Sequence, residues 1–510
     1  MQLASHRVWL SMVVLFTVGV STVVIINSCS DRSQNNKRNS FLHGIWVDTY
    51  YPGLKSKEEA EKLVDDVKRV GINSLFIQTR RRGDLLTKSK IEPSILSSND
   101  WEPVSFLKEN ANDLQLHAWI VCGPVWNQRE LDELPKDHIL IKHPEWIMLR
   151  DDGESFKDGE YYLDLGLPEV QHYLLSVISE IALSGKFNGI HLDYIRYPGR
   201  RWGYHPKVLE EFYSLSKTRE KPAHDDPLWM SFRRQKISDL VELIFAKIKN
   251  INPELILSAA TITHAPGPEK QSDWFNSSAH GYLFQDWVAW LDREIVDWII
   301  PMVYFQQEMH AHHLNKWVNY ISELPNSKRV ALGFGLFLND KSYNIQQIAN
   351  TFFSPKNEFN FLGFVGFSYA NPVKKGEGID LNFEQKYPKV LTHKMTGLAS
   401  GAEEVIPPKA IPVSRGKNGK SVGHLGFYIN DPKIITINNQ FSIELYKKTE
   451  LIRKLNLNST GFCLFRNLSP GQYKVNIFKV SIDKGKALLY SSIEGVIVRK
   501  GEVKLIETLE

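Results

Sequence analysis

Cysteine is scarce: three occur in 510 residues, at positions 29, 122 and 463. Three thiols cannot build a disulfide framework, and their spacing fits no zinc motif, so a metal–sulfur enzyme is not expected. Charge of one sign is equally short, because 62 Lys and Arg against 58 Asp and Glu leave a net +4. That bias is too weak for a nucleic-acid-binding surface. No Gly-rich phosphate fingerprint follows the first strand pattern, which argues against a doubly wound nucleotide-binding sheet. No cofactor or metal is expected from these features. The remainder is ordinary globular material, 42% hydrophobic and 24% charged, in a chain too long for one domain. Thirteen Trp and nineteen Tyr are plentiful; such rings serve sugar-binding clefts and hydrophobic cores alike.

The amino terminus carries a nineteen-residue run without charge, Val8 to Ile26, preceded by His6 and Arg7. A basic start, an apolar run and a small residue before a processing point read as an export signal. Ile26-Asn27-Ser28-Cys29 resembles a bacterial lipobox, which makes Cys29 the expected lipidation site. An uncleaved membrane anchor is the alternative, since an uncharged, mainly apolar run of nineteen residues can span a bilayer. Both readings send the rest of the chain out of the cytoplasm. Residues 1–29 are thus signal or anchor, 30–40 a polar tether, and Cys122 and Cys463 buried thiols.

From 41 to 397, short apolar strands alternate with helical patterns. Strands are expected over 43–50, 72–79, 116–123, 187–195, 254–262, 296–304, 329–336 and 364–370. A capping box, Ser56 with Glu59, opens the helix after the first strand, and Pro168 opens the one before the fourth. Eight such units argue for a (β/α)8 barrel. Residues 398–422 lose periodicity and carry Pro407, Pro408 and Pro412, as a linker does. From 423 to 510 the strands are short and turn-bounded, which predicts an all-β sandwich of prealbumin-like or fibronectin-like type. The barrel is expected to fold alone, with the sandwich dispensable for chemistry and its partner unknown.

In such a barrel the carboxyl ends of the strands build the site. Period two then sorts the side chains. Ile190, Leu192 and Tyr194 share one face of the fourth strand, while His191 and Asp193 share the other and point inward. The same alternation turns Trp46, Asp48, Phe76, Gln78, Arg80, His117 and Trp119 into the barrel. Polar groups there are costly to bury unless something uses them. Asp193, at a strand's carboxyl end and at the start of the turn from Tyr194 to Arg196, is the leading catalytic candidate. His117 and His191 are candidates of lesser weight, because a lone strand histidine is often structural.

GIHLDYIRYP (189–198) closely resembles the fourth-strand signature of the glycosyl-hydrolase-like 10 family of bacterial envelope proteins. GIWVDTY (44–50), FIQTRRRGDLLTKSKIEP (76–93), LHAWIVCG (116–123), HPEW (143–146), YLDLGLPEVQ (162–171), QDWVAWLDREIVDWIIPMVY (285–304) and GFVGFSYA (363–370) follow in the family's order. The resemblance implies a (β/α)8 glycoside hydrolase, often a lipoprotein, with some members acting on peptidoglycan glycan strands. It places an acidic nucleophile at Asp193. Tyr194 departs from the pattern, since family members often carry a second acid there.

Glycoside cleavage needs two carboxyl groups flanking the scissile bond. With Asp193 as nucleophile or charge stabiliser, the proton donor is sought among Glu308, Asp84 and Asp48. Glu308 leads, because related barrels place the donor after the sixth strand. Arg80, Arg82 and Arg196 are expected to orient sugar hydroxyls or acidic substituents. Trp46, Trp119, Trp126 and Tyr304 are expected stacking platforms. The expected partners are a polysaccharide and, through the amino-terminal anchor, a membrane. Two rivals stand beside this reading: a non-catalytic polysaccharide-binding protein on the same barrel, and a structural envelope protein that docks a partner through its sandwich.

Overall fold

The computed structural model describes residues 41–96, 101–352, 361–370, 408–410, 422–430, 439–481 and 486–508. The expected signal, the tether, Cys29 and most of the linker lie outside these residues. Eight parallel strands close into a barrel: β1 (Leu42–Val47), β2 (Ser74–Arg80), β3 (Gln115–Val121), β4 (Gly189–Asp193), β5 (Ile256–Ile262), β6 (Trp298–Met302), β7 (Ala331–Gly335) and β8 (Gly363–Phe367). β1 pairs with both β2 and β8, so no edge remains. The connecting helices are α1 (Lys57–Arg69), α2 (Pro103–Asn110), α3 (Pro168–Leu183), α4 (Pro206–Ser216), α5 (Pro227–Ile251), α6 (Trp287–Asp292), α7 (Gln307–Ser322) and α8 (Lys341–Phe352).

Local sequence explains these elements. Ser56 caps α1 by accepting from the amide of Glu59 at 3.3 Å. Glu59 turns its own carboxylate to the amides of Gly53 and Lys55, not to Ser56, so only half of the expected box forms. Along the strands the alternation holds. Ile45, Val47, Leu75, Ile77, Ile190 and Leu192 belong to the core shared with the helices. Trp46, Phe76, Trp119, Trp298 and Val365 fill the barrel interior.

Two buried imidazoles complete that interior. His117 stacks on Phe76, with ring centres 4.6 Å apart, and burial pulls its pKa down to about 3. His191 accepts from Trp46 Nε1 at 3.1 Å and meets Ser258 Oγ through its other ring nitrogen at 2.9 Å. Burial holds it neutral as well. Glycine 189 is required beside them: a Cβ there would lie 2.5 Å from His117 Nδ1 and 2.7 Å from a β5 carbonyl.

Beyond the barrel, β9 (Gly423–Ile429), β12 (Phe462–Leu468) and β15 (Val503–Thr508) form a three-stranded sheet. β10 (Asn439–Lys447), β11 (Glu450–Asn456), β13 (Gly471–Ser481) and β14 (Lys486–Val498) form a four-stranded one. Phe427, Phe441, Ile443, Phe465 and Val475 join the two in one core. The opposite face of the smaller sheet is not solvated. Tyr428, Phe462, Leu464, Val503 and Leu505 pack into the barrel's core cluster instead. Polar contacts frame this seat. His172 Nε2 on α3 donates to the Thr460 carbonyl at 2.8 Å, and Lys236 on α5 reaches Glu211 at 2.8 Å and Ser459 at 2.6 Å. Glu242 accepts from Arg466 of the sandwich and Arg293 of the barrel. Alternation along β9 and β15 marks one buried face but cannot reveal that the second is covered by a helix. Cys122 and Cys463 are both buried thiols. Among the described residues no helix is long and apolar enough to cross a membrane.

Candidate active site

Asp193 ends β4 at the barrel mouth and is 5% exposed. Its carboxylate is held by local geometry. Trp119 Nε1 donates to Oδ2 at 3.0 Å, the Tyr194 amide donates to Oδ1 at 2.7 Å, and Arg196 Nη1 lies 3.8 Å from Oδ1. Tyr194 adopts the left-handed region, with φ of 51°, to present that amide. A non-glycine residue there costs on the order of 1–3 kcal/mol, a strain that collects at working sites. Burial raises the Asp193 pKa above the ordinary carboxylate range, against the opposing pull of Arg196 and the two donors.

Around this carboxyl is a cavity of about 250 Å3. Of the expected residues, Trp46, Asp48, Arg82, Trp119, Asp193, Arg196 and Tyr304 line it. Trp46 is aimed there by His191 behind it, and Gly333 leaves room for its ring, since a Cβ would stand 2.9 Å from the indole edge. Asp48 accepts from Ser368 Oγ at 2.9 Å and from the amides of Tyr50 and Tyr51 at 3.1 and 3.2 Å. Tyr304 packs against Phe367 with ring centres 5.6 Å apart, and its buried hydroxyl has no partner among the described residues. Burial, then the nearby charge of Asp193, keeps that hydroxyl protonated.

Five expectations are corrected. Arg80 does not point into the barrel. The β2–β3 register shifts between Gln78 and Arg80, and this bulge breaks the alternation and turns the guanidinium outward. There it pairs with Glu92 at 2.8 Å, fully buried, and ties down the carbonyls of Val121 and Cys122. Asp84 chelates Arg81 at 2.8 to 3.1 Å and accepts from the Arg82 amide, shaping the loop and not the cavity wall. His191 lies beneath the cavity and acts on it only through Trp46. Glu308 is exposed in the first turn of α7, where a carboxylate suits the helix dipole, and accepts from the Tyr343 hydroxyl at 2.8 Å. It does not line the cavity. Neither does Trp126, whose indole donates to the Glu130 carbonyl at 2.9 Å.

The cavity instead receives Glu160, together with Tyr50, Tyr51, Arg81, Tyr194 and Phe367. Glu160 opens the short strand Glu160–Tyr162, which pairs with Phe156–Lys157 and with Pro124–Trp126 in an antiparallel excursion between β3 and α3. Asp158 and Gly159 both take positive φ, 50° and 88°, as a two-residue hairpin turn requires. That Asp-Gly pair is the sequence signal by which the hairpin, and with it Glu160, is recognisable. Arg82 Nη2 donates to Glu160 Oε1 at 2.8 Å and the Tyr162 hydroxyl to Oε2 at 3.1 Å. Arg82 also meets the Tyr50 hydroxyl and lies over its ring at 5.2 Å. Three carboxyl groups, Asp48, Glu160 and Asp193, therefore face one cavity. Among the described residues no group of three or more His, Cys, Asp or Glu side chains is placed to hold a metal ion.

Several known proteins are similar to this chain. The glycosyl hydrolase YngK of Bacillus subtilis is 22% identical over 346 residues, covering 63% of this chain and 64% of its own. The chain thus spans about two thirds of that relative. The glycosyl hydrolase DigH of Escherichia coli K12 is 24% identical over 339 residues, covering 58% of this chain and 72% of its own. Among solved structures, the glycoside hydrolase domain of PgaB (BpsB) from Bordetella bronchiseptica superposes with a TM-score of 0.49 at 10% identity, covering 71% of this chain and 99% of that domain. The sequence profile of the glycosyl hydrolase-like 10 family matches residues 35–351, more than half of the chain, and the protein belongs to that family.

Proposed function

We propose that the chain hydrolyses O-glycosidic bonds of an envelope polysaccharide, with peptidoglycan glycan strands as the substrate class. The observation that carries this reading is the buried Asp193 carboxylate at the carboxyl end of β4, sharing one cavity with a second carboxyl on Glu160. Asp193 serves as nucleophile or charge stabiliser at the anomeric carbon. Glu160 serves as proton donor to the leaving oxygen. It is the more accessible of the two remaining acids, with a side chain 20% exposed. Both acids have each oxygen engaged, Glu160 by Arg82 and the Tyr162 hydroxyl and Asp48 by three donors; Asp48 is the more deeply buried and positions the loop after β1. Trp46, Trp119 and Tyr304 supply ring surface for the sugar.

The test is incubation of the full chain with defined glycan strands, scoring new reducing ends. Wild type is expected to produce them and Asp193→Asn is not. Binding without cleavage by the wild type overturns the enzymatic reading in favour of a glycan-binding protein. Export and anchoring through Cys29 belong to the same proposal. They rest on the apolar run ending at Ile26. Acyl-chain labelling that persists in Cys29→Ala rules out the lipid anchor.

A further inference from the structure

We infer that Arg196 forms a receiving site for a carboxylate carried by the substrate sugar, next to the carbon at which Asp193 acts. The inference rests on the glycosidase reading and names the chemistry of its substrate. Three guanidinium groups line the cavity, and two already hydrogen-bond an acid, although Arg82 Nε is itself buried without a partner among the described residues. Arg81 is chelated by Asp84 through Nε and Nη2. Arg82 is divided between Glu160 and Tyr50.

Arg196 has no hydrogen-bonded acid. Its side chain is 11% exposed, and its guanidinium carbon lies over the Tyr194 ring, 4.1 Å from the ring centre. Nη1 is buried without a hydrogen-bond partner among the described residues. The nearest acid, Asp193 Oδ1, is 3.8 Å from it, within ion-pair range but too far for a hydrogen bond. Both Asp193 oxygens already accept from Trp119 and from the Tyr194 amide.

A nearly buried cation with an idle donor is costly to maintain unless an acceptor completes it. The planar fork matches a carboxylate, which takes two parallel N–H bonds and adds to the compensation of the charge; a neutral hydroxyl takes one bond and leaves the charge to the longer Asp193 contact alone. The Tyr194 ring packs against that guanidinium before the ligand arrives. The buried, unpartnered Tyr304 hydroxyl supplies one more idle donor on the same cavity wall. A sugar bearing a carboxylate is therefore recognised at the ring being cleaved, and discrimination should show in turnover as well as in binding.

The experiment compares two probes with the full chain. One is a strand of alternating N-acetylglucosamine and N-acetylmuramic acid. The other is the same strand with its lactyl carboxylates reduced to alcohols. Wild type is expected to favour the carboxylate strand in kcat/KM by ~10-fold or more, the scale of one lost charge-assisted pair. Arg196→Gln should bring that ratio close to one, and Arg196→Lys, which keeps the charge without the fork, should fall between and covers the case in which the Gln variant does not fold. Equal turnover of both strands by wild type overturns the inference, as does an Arg196→Gln protein whose preference is unchanged. Should wild type cleave neither strand, the glycosidase reading fails on its own. Calorimetric titration of wild type and Arg196→Gln with the same two strands then decides the site: wild-type preference for the carboxylate strand that Arg196→Gln loses supports it, and equal affinities refute it.

Discussion

Trp119 holds Asp193: its indole N–H donates to Oδ2 across 3.0 Å, from a strand whose register sets Val121 beside Asp193. A ring that sequence alone reads as a sugar platform is thus also an orienting donor. Trp119→Phe keeps much of the ring and removes the N–H. A hydrogen bond to a charged group is worth ~1.5–3 kcal/mol, so kcat should fall ~10- to 100-fold while folding persists. A variant with wild-type kcat on defined strands shows that the bond does not matter to catalysis.

Asp193→Asn separates catalysis from stability by their signs. Turnover should drop ~1,000-fold or more, because the lost charge acts mainly in the transition state. Stability should move the other way. Burial raises the folded-state pKa of Asp193, so the native protein holds this proton more tightly than the unfolded chain. The cost of ionising it in place is absent below the unfolded value, ~3.9, and grows as pH rises through the folded one. Asn removes that cost, and its melting temperature should exceed wild type at pH 7 and converge with it near pH 3. Thermal scans at the two pH values check this, and a lowered melting temperature at pH 7 assigns Asp193 a structural role.

Glu160→Gln should lose cleavage of natural strands by ~100-fold or more, the usual scale of general acid catalysis. It should keep most activity on an aryl glycoside whose leaving group needs no proton. Glu308→Gln, exposed and bonded to Tyr343, should leave both activities within about twofold. The reverse pattern returns the proton donor to the loop after β6.

Arg80→Met leaves Glu92 buried without its cation. Breaking one side of a buried pair costs ~3–5 kcal/mol, so denaturant midpoints should fall sharply, while KM of the folded fraction stays near wild type. A large KM increase without destabilisation places Arg80 in substrate binding after all.

Deleting 423–510 should lower the barrel's melting temperature and solubility. The seat of Tyr428, Phe462, Leu464, Val503 and Leu505 is then stripped from the barrel, each such side chain contributing up to ~1.5–3 kcal/mol. Turnover per folded molecule should persist, because no sandwich residue lines the cavity. Scanning calorimetry beside single-substrate kinetics reads both quantities.

The barrel was legible because its code is local and repeated. Alternation in GIHLD and GIWVD sorts inside from outside one residue at a time, and it places Trp46, Trp119 and Asp193 where the structure has them. It fails at Arg80 because one extra residue in β2 inverts every parity after it, and no composition signal marks that insertion. It fails at Glu308 because strand order says which loop is near the mouth, not which way a helix leaves it. Glu160 escaped for the opposite reason. Its Asp-Gly turn is readable, but a hairpin inserted between β3 and α3 belongs to no repeating unit, so nothing in the barrel pattern directs attention to it.

The closure of the barrel has a consequence for reach. Leu42 opens β1 at the floor, where Ala410 packs against the interior cluster and Gln115 donates to the Pro408 carbonyl. Asp193 stands at the other end of the same cylinder. The described chain thus begins at the floor, the end opposite the mouth. Residues 30–40 add at most ~3.3–3.6 Å of standoff each when extended. Under the proposed anchoring, the farthest reach of the mouth from that surface is set by barrel height plus tether.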